Sequence, residues 1–171
     1  TVSAFMRELE ATAVRPPVYA GELYLEGHRG SLTSLHGIKR GNRRAEAALR
    51  DAEILVVASG RSHDGALREG LSRAWETLLV NQFHDILPGT SIPEVHDRAM
   101  AELRGVEETA RAACRVVLGS PAAGAFSVTN TLSWPRRGVL ALAGTPAGFH
   151  ADGLVSQRVA DLEGGETLLV R

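Results

Sequence analysis

The sequence predicts a mainly α-helical protein with a β segment: a three-helix bundle followed by the first strands of a larger β domain. Three observations predict it. Apolar residues recur at helical spacing in three separate stretches between residues 38 and 118. Gly and Pro punctuate the joints between those stretches. After Gly119 the texture changes to short runs rich in Val and Leu, which is how strands read.

The first 36 residues read as irregular apart from a helix over Ser3–Ala13. Pro16 and Pro17 exclude helix where they stand, and Leu23, Tyr24 and Leu25 suit a short strand. Ala45, Ala48, Leu49, Ala52 and Leu55 then fall on one helical face. Gly60 and the Ser-His-Asp-Gly run at 62–65 break that helix. Leu67, Leu71, Ala74, Trp75 and Leu78 form a second stripe, closed by Pro88-Gly89. Ser91-Ile92-Pro93-Glu94 is a start signal, with Ser91 as cap, Pro93 in the first turn and Glu94 three residues on. Val95, Ala99, Leu103, Val106, Ala110, Ala113 and Val117 continue as a helix of about seven turns. Short connections make the three helices an antiparallel bundle. Ala125–Thr129, Gly138–Leu142, Leu154–Val159 and Thr167–Val170 read as strands, too few to close a large sheet. The chain begins at Thr1 in mid-pattern and stops directly after the strand-like Glu166–Val170, so it reads as a piece of a longer protein.

Composition narrows the function. The 171 residues hold 19 Lys+Arg, 20 Asp+Glu and 6 His, a formal net charge of -1. That balance argues against a nucleic-acid or anionic-membrane partner, which would need a cationic field. No apolar run approaches the ~18 residues of a membrane span, and no signal peptide is visible. Cys114 is the one cysteine, so no internal disulfide forms and a cytoplasmic location is expected. Lys39 is the one lysine among the 19 cations, which reads as a genome bias towards arginine.

Three clusters could carry chemistry. The first is Asn81-Gln82-Phe83-His84-Asp85-Ile86-Leu87-Pro88-Gly89-Thr90, a polar interruption where one apolar helix ends. His84 offers an imidazole nitrogen for a metal, and Asp85 offers oxygens for a metal or for sugar hydroxyls. A lone His-Asp pair is more often a capped turn beside a loop histidine, and a metal site needs three or four ligands. The second cluster places Glu22, Glu26, His28 and Arg29 within eight residues, with Glu22, Tyr24 and Glu26 on one face if the segment is a strand. Such a face is more often solvated than catalytic. The third is Lys39-Arg40-Gly41-Asn42-Arg43-Arg44. It reads as the charged outer face of a starting helix or as ion pairs into a neighbouring domain; no aromatic residues interleave to stack on bases. His36, His63, His96 and His150 carry no pattern, Trp75 and Trp134 read as packing anchors, and Cys114 reads as a small buried residue.

These motifs occur together and in order: Gly21–Gly30, then Lys39–Glu46, then Trp75 and Asn81–Gly89, then Asn130–Pro135. In that combination the sequence resembles glycoside hydrolase family 38, the α-mannosidases, over about residues 18–137. Asn-Gln-Phe-His-Asp-Ile-Leu-Pro-Gly is the most specific stretch, and Gly-Glu-Leu-Tyr-Leu-Glu points to the cytosolic-type and bacterial branch. The resemblance implies residues 1–36 as the tail of a catalytic α/β barrel, 37–119 as a three-helix middle domain and 120–171 as the start of a C-terminal β-sandwich domain. It implies Zn²⁺ as cofactor, with His84 as one ligand and Asp85 bonding the bound mannose. It also implies retaining hydrolysis by two carboxyl groups, with the nucleophile, the acid and the remaining ligands outside these residues. No catalytic residue is then expected in this chain, which alone should be inactive. The implied partners are a mannose-containing oligosaccharide, the remaining domains of the same protein and a second copy in a homo-oligomer. Leu32 stands where the family usually has tyrosine, Tyr19 near a usual tryptophan, and Thr131 at the proline of Asn-Pro-Leu. Two alternatives stay open: a mannosylglycerate hydrolase of the same family, and a non-catalytic helical interaction module.

Overall fold

The computed structural model describes residues 1–12, 17–22, 26–32, 34–121, 125–143, 145, 153–160 and 166–171. Four α-helices precede three strands: α1 (Val2–Thr12), α2 (His36–Ala58), α3 (Gly65–Asn81), α4 (Pro93–Leu118), then β1 (Leu140–Ala143), β2 (Ser156–Ala160) and β3 (Glu166–Val170). A 3-10 turn spans Glu26–Leu32.

The bundle of α2, α3 and α4 closes on the predicted stripes. Ala45, Leu49 and Ala52 of α2, Leu71, Ala74 and Leu78 of α3, and Ala99, Leu103, Val106, Ala110 and Ala113 of α4 form one buried cluster. Small residues let α2 and α4 approach closely. A Cβ on Gly41 would lie 3.3 Å from Leu103 Cδ1, and one on Gly37 would lie 3.3 Å from Met100 Cε. Trp75 packs at the edge of the cluster, and its indole N–H donates to Glu53 at 3.0 Å.

Local chemistry ends and restarts each helix. After α2, Gly60 takes φ 74°, its N–H reaches the Val57 carbonyl and the Arg61 N–H reaches that of Val56. This paired closure needs a left-handed residue, which glycine adopts freely. Asp64 caps α3 by accepting from the N–H groups of Ala66 and Leu67 at 3.1 and 3.2 Å, a contribution of about 1 kcal/mol. The start of α4 differs from the expected one. Ile92, not Ser91, is the N-cap, with Pro93 in the first turn. Proline drives the residue before it into extended backbone, and Ile92 has ψ 158°. Ser91 is thereby displaced one residue out, and its buried Oγ has no hydrogen-bond partner among the described residues.

The strands form a three-stranded antiparallel sheet in the order β1-β3-β2. Val170 faces Leu140 on one side and Ser156 on the other. The central strand carries the buried Leu168 and Val170. Ala125–Thr129, expected as a strand, is not one: these residues are exposed and belong to no ladder among the described residues. The alternation of Val and aromatic residues there meets no neighbouring strand among the described residues, and pairing is what stabilises a strand. Trp134, expected as an anchor, is 59% exposed. The predicted Leu23–Leu25 strand lies outside the described residues. No described helix is long and apolar enough to cross a membrane.

Candidate functional site

The turn after α3 is built from both ends. Asn81 closes the helix at 1% exposure. Its amide donates to the Thr77 carbonyl at 2.9 Å and to Glu102 Oε2 at 2.8 Å. Glu102 also receives Arg98 at 2.7 Å. The Arg98 guanidinium first, and the Asn81 amide second, hold its carboxyl below the usual carboxylate range. The Phe83 carbonyl then accepts from Ile86 N–H at 2.9 Å and Leu87 N–H at 3.1 Å, and Gly89 N–H donates to the Ile86 carbonyl at 3.0 Å. Ile86 and Leu87 pack against the bundle core. With those two side chains turned inward, Phe83, His84 and Asp85 are left at the surface.

His84 and Asp85 are therefore presented together. Their side chains are 77% and 54% exposed, and His84 Nε2 lies 3.4 Å from Asp85 Oδ2. The other carboxylate oxygen, Oδ1, accepts from the Thr90 hydroxyl at 2.9 Å. The Phe83 ring stands against the imidazole with centroids 4.1 Å apart. The arrangement gives a fixed carboxylate and an accessible imidazole nitrogen on one surface, suited to bonding hydroxyls or donating to a metal.

The first two turns of α2 support this turn from below. Asn42 Oδ1 accepts from Gln82 Nε2 at 3.1 Å. Lys39 Nζ donates to the carbonyls of Ser34 at 2.8 Å and Pro88 at 3.4 Å. Gly89, with φ 87°, sits against Leu35, itself left-handed at φ 47°. A Cβ there would lie 3.0 Å from Leu35 Cδ1. These supports were not evident from the sequence: Asn42 and Lys39 sat in a run that reads as a solvated face, and Thr90 sat in the motif without a role.

The second cluster forms no strand face among the described residues. Glu26 opens a 3-10 turn and so lies in no strand. The two glycines at 27 and 30 suit a tight turn better than a strand. The side chains of Tyr24 and Glu26 lie outside the described residues, and Glu22, His28 and Arg29 are exposed. The Lys39–Arg44 run does start a helix, with Arg43 paired to Glu46 at 2.8 Å. His36 and His63 are exposed. His96 Nδ1 lies 3.3 Å from its neighbour Asp97, and His150 lies outside the described residues. Cys114 is half-buried; burial first, and the Asp51 charge second, push its thiol up. A groove of about 890 Å³ is lined by Glu53, Val57, Arg68 and Trp75 among others; neither His84 nor Asp85 borders it. Among the described residues no group of three or more His, Cys, Asp or Glu side chains could hold a metal ion. The donor set here fits one or two ligands of a zinc site, short of the three or four protein ligands that such a site needs.

Comparison with known proteins places this turn in context. The family described as "Alpha mannosidase middle domain" matches residues 26–119. Alpha-mannosidase 2C1 of Homo sapiens is 35% identical over 155 residues, covering 86% of this chain and 15% of the relative. The Mus musculus protein of that name is 36% identical over 145 residues, 81% of this chain and 14% of its own length. Alpha-mannosidase G of Dictyostelium discoideum is 34% identical over 113 residues, 62% of this chain and 10% of its own length. The chain thus spans about one seventh of the length of the first two relatives.

Proposed function

The chain belongs to the α-mannosidases of glycoside hydrolase family 38, and from that premise we propose that it serves a zinc-dependent, retaining α-mannosidase that removes terminal α-mannosyl residues from glycans. The observation that carries the proposal is the pair at the end of α3: an accessible imidazole and a carboxylate held side by side on a turn whose Ile86 and Leu87 pack the other way, against the core.

In this reading His84 is one protein ligand to Zn²⁺, and the other ligands come from elsewhere in the protein. Bound zinc would act as a template for two neighbouring sugar hydroxyls. Asp85, with one oxygen fixed by Thr90, accepts hydrogen bonds from mannose hydroxyls and orients the ring. Phe83, beside His84, screens the imidazole on one side. The nucleophilic carboxylate and the carboxyl that protonates the leaving oxygen lie outside this chain, so these residues bind and orient rather than break the bond. Residues 1–36 are the tail of the barrel that brings those groups, 37–119 the middle domain and 120–171 the start of the β-sandwich. A cytoplasmic setting goes with the single cysteine.

The test is an assay of the full-length protein on an aryl α-mannoside, with and without a chelator. Hydrolysis that a chelator abolishes and added Zn²⁺ restores is the expected result. Full turnover by metal-free protein, or no hydrolysis by zinc-loaded protein, overturns the proposal.

A further inference from the structure

The one lysine of the chain stands under the turn that presents His84 and Asp85. Lys39 lies in the first turn of α2 and is half-buried. Its ammonium donates to Ser34 O, five residues back, and to Pro88 O, 49 residues on. One atom thus ties the loop before α2 to the far end of the turn after α3. The near end of that turn is tied to the same helix through Gln82 and Asn42.

Both carbonyls converge on a single nitrogen. An ammonium is a compact charge with three rotatable donors, whereas a guanidinium presents its donors in a longer, flat fork. A composition that otherwise uses arginine for its cations keeps lysine here. Hydrogen bonds from a charged donor are about twice as strong as neutral ones. Pro88 has no N–H of its own to anchor the turn, so its carbonyl is the handle the backbone offers.

We propose that Lys39 is a positioning residue for the mannosidase site: its ammonium fixes the 82–89 turn so that His84 and Asp85 meet the metal and the sugar in register. The inference rests on the reading of His84 and Asp85 given above. It assigns Lys39 no contact with substrate.

The experiment uses the full-length protein and the variants Lys39→Met and Lys39→Arg, with Arg43→Lys as a control cation swap on the outer face of α2. Four quantities are measured: kcat on an aryl α-mannoside, the rate of zinc loss to a chelator, hydrogen exchange in the 83–89 peptide, and the melting temperature. Lys39→Met is expected to lower kcat about tenfold and to release zinc about tenfold faster, the scale on which residues supporting a metal ligand act. Exchange at 83–89 rises, and the melting temperature stays within about 3 °C. Lys39→Arg shows the same changes to a smaller degree. A folded Lys39→Met protein with wild-type kcat and zinc retention overturns the inference, whatever its exchange. If Lys39→Met does not fold, Lys39→Arg decides: reduced kcat and faster zinc loss support the role, and wild-type values overturn it. Wild-type protein without zinc, or His84→Ala protein that keeps it, sinks the parent reading instead, and exchange at 83–89 still reports whether the tether exists.

Discussion

Thr131 donates its hydroxyl to Asp51 Oδ1 at 2.7 Å, joining residues eighty positions apart. Asp51 lies on α2 and Thr131 in the segment leading to the sheet. Arg50, beside Asp51, reaches the Thr131 carbonyl at 3.5 Å. The residue that departs from the usual Asn-Pro-Leu pattern thus binds the bundle. Thr131→Val keeps the shape and removes the hydroxyl. Stability is expected to fall by about 1 kcal/mol, and a urea titration reads it. An unchanged midpoint would show that the bond contributes nothing net.

Asn81 offers a second stability test. Asn81→Ala removes the amide that serves both Thr77 and Glu102. The expected cost is about 1–3 kcal/mol, because the half-buried Glu102 carboxylate loses a hydrogen-bond partner. Glu102 carries a pH signature. Its carboxyl is held below the usual range, chiefly by Arg98, so its share of the stability is present above the ordinary carboxylate pKa and is lost as pH falls through the lowered one. Glu102→Gln should flatten the acid side of the stability curve, and an equal acid slope in variant and wild type would refute this.

Gly89→Ala places a methyl group 3.0 Å from Leu35 Cδ1 at a backbone φ of 87°. Left-handed backbone costs a residue with a Cβ about 1–2 kcal/mol, and the contact adds to that. Thermal melting should register the loss, and turnover by the full-length protein should drop with it. Retained stability and turnover would mean that the turn can yield without consequence.

In the full-length protein, His84→Ala is expected to lower zinc content and activity together. Asp85→Asn should cut turnover by about tenfold to a hundredfold with zinc retained, the scale on which lost orientation is felt. Metal analysis beside kinetics separates the two. A zinc-replete, fully active His84→Ala protein would remove that imidazole from the site.

Much of the fold was legible because burial in a helix bundle is periodic. Leu49, Leu78 and Leu103 announce their faces by spacing, and each is fully buried. The cap of α4 was misplaced because two rules compete at Ser91-Ile92-Pro93, and the restriction imposed by proline overrides the preference of serine for the cap. Ala125–Thr129 failed as a strand because a strand depends on a neighbour that spacing does not reveal. The His84-Asp85 pair was visible as a polar interruption. Its supports at Asn42, Lys39 and Leu35 were not, since they come from a segment about forty residues upstream and depend on how α2 lies against the turn.

No residue of α1 is buried, and Val2, Phe5, Met6 and Leu9 form an apolar stripe in solvent. Eleven residues are fewer than the roughly 12–15 that hold a lone helix together in water. When this chain is handled by itself, a protease should therefore cut within that leading helix first, and N-terminal sequencing of the early product reads it.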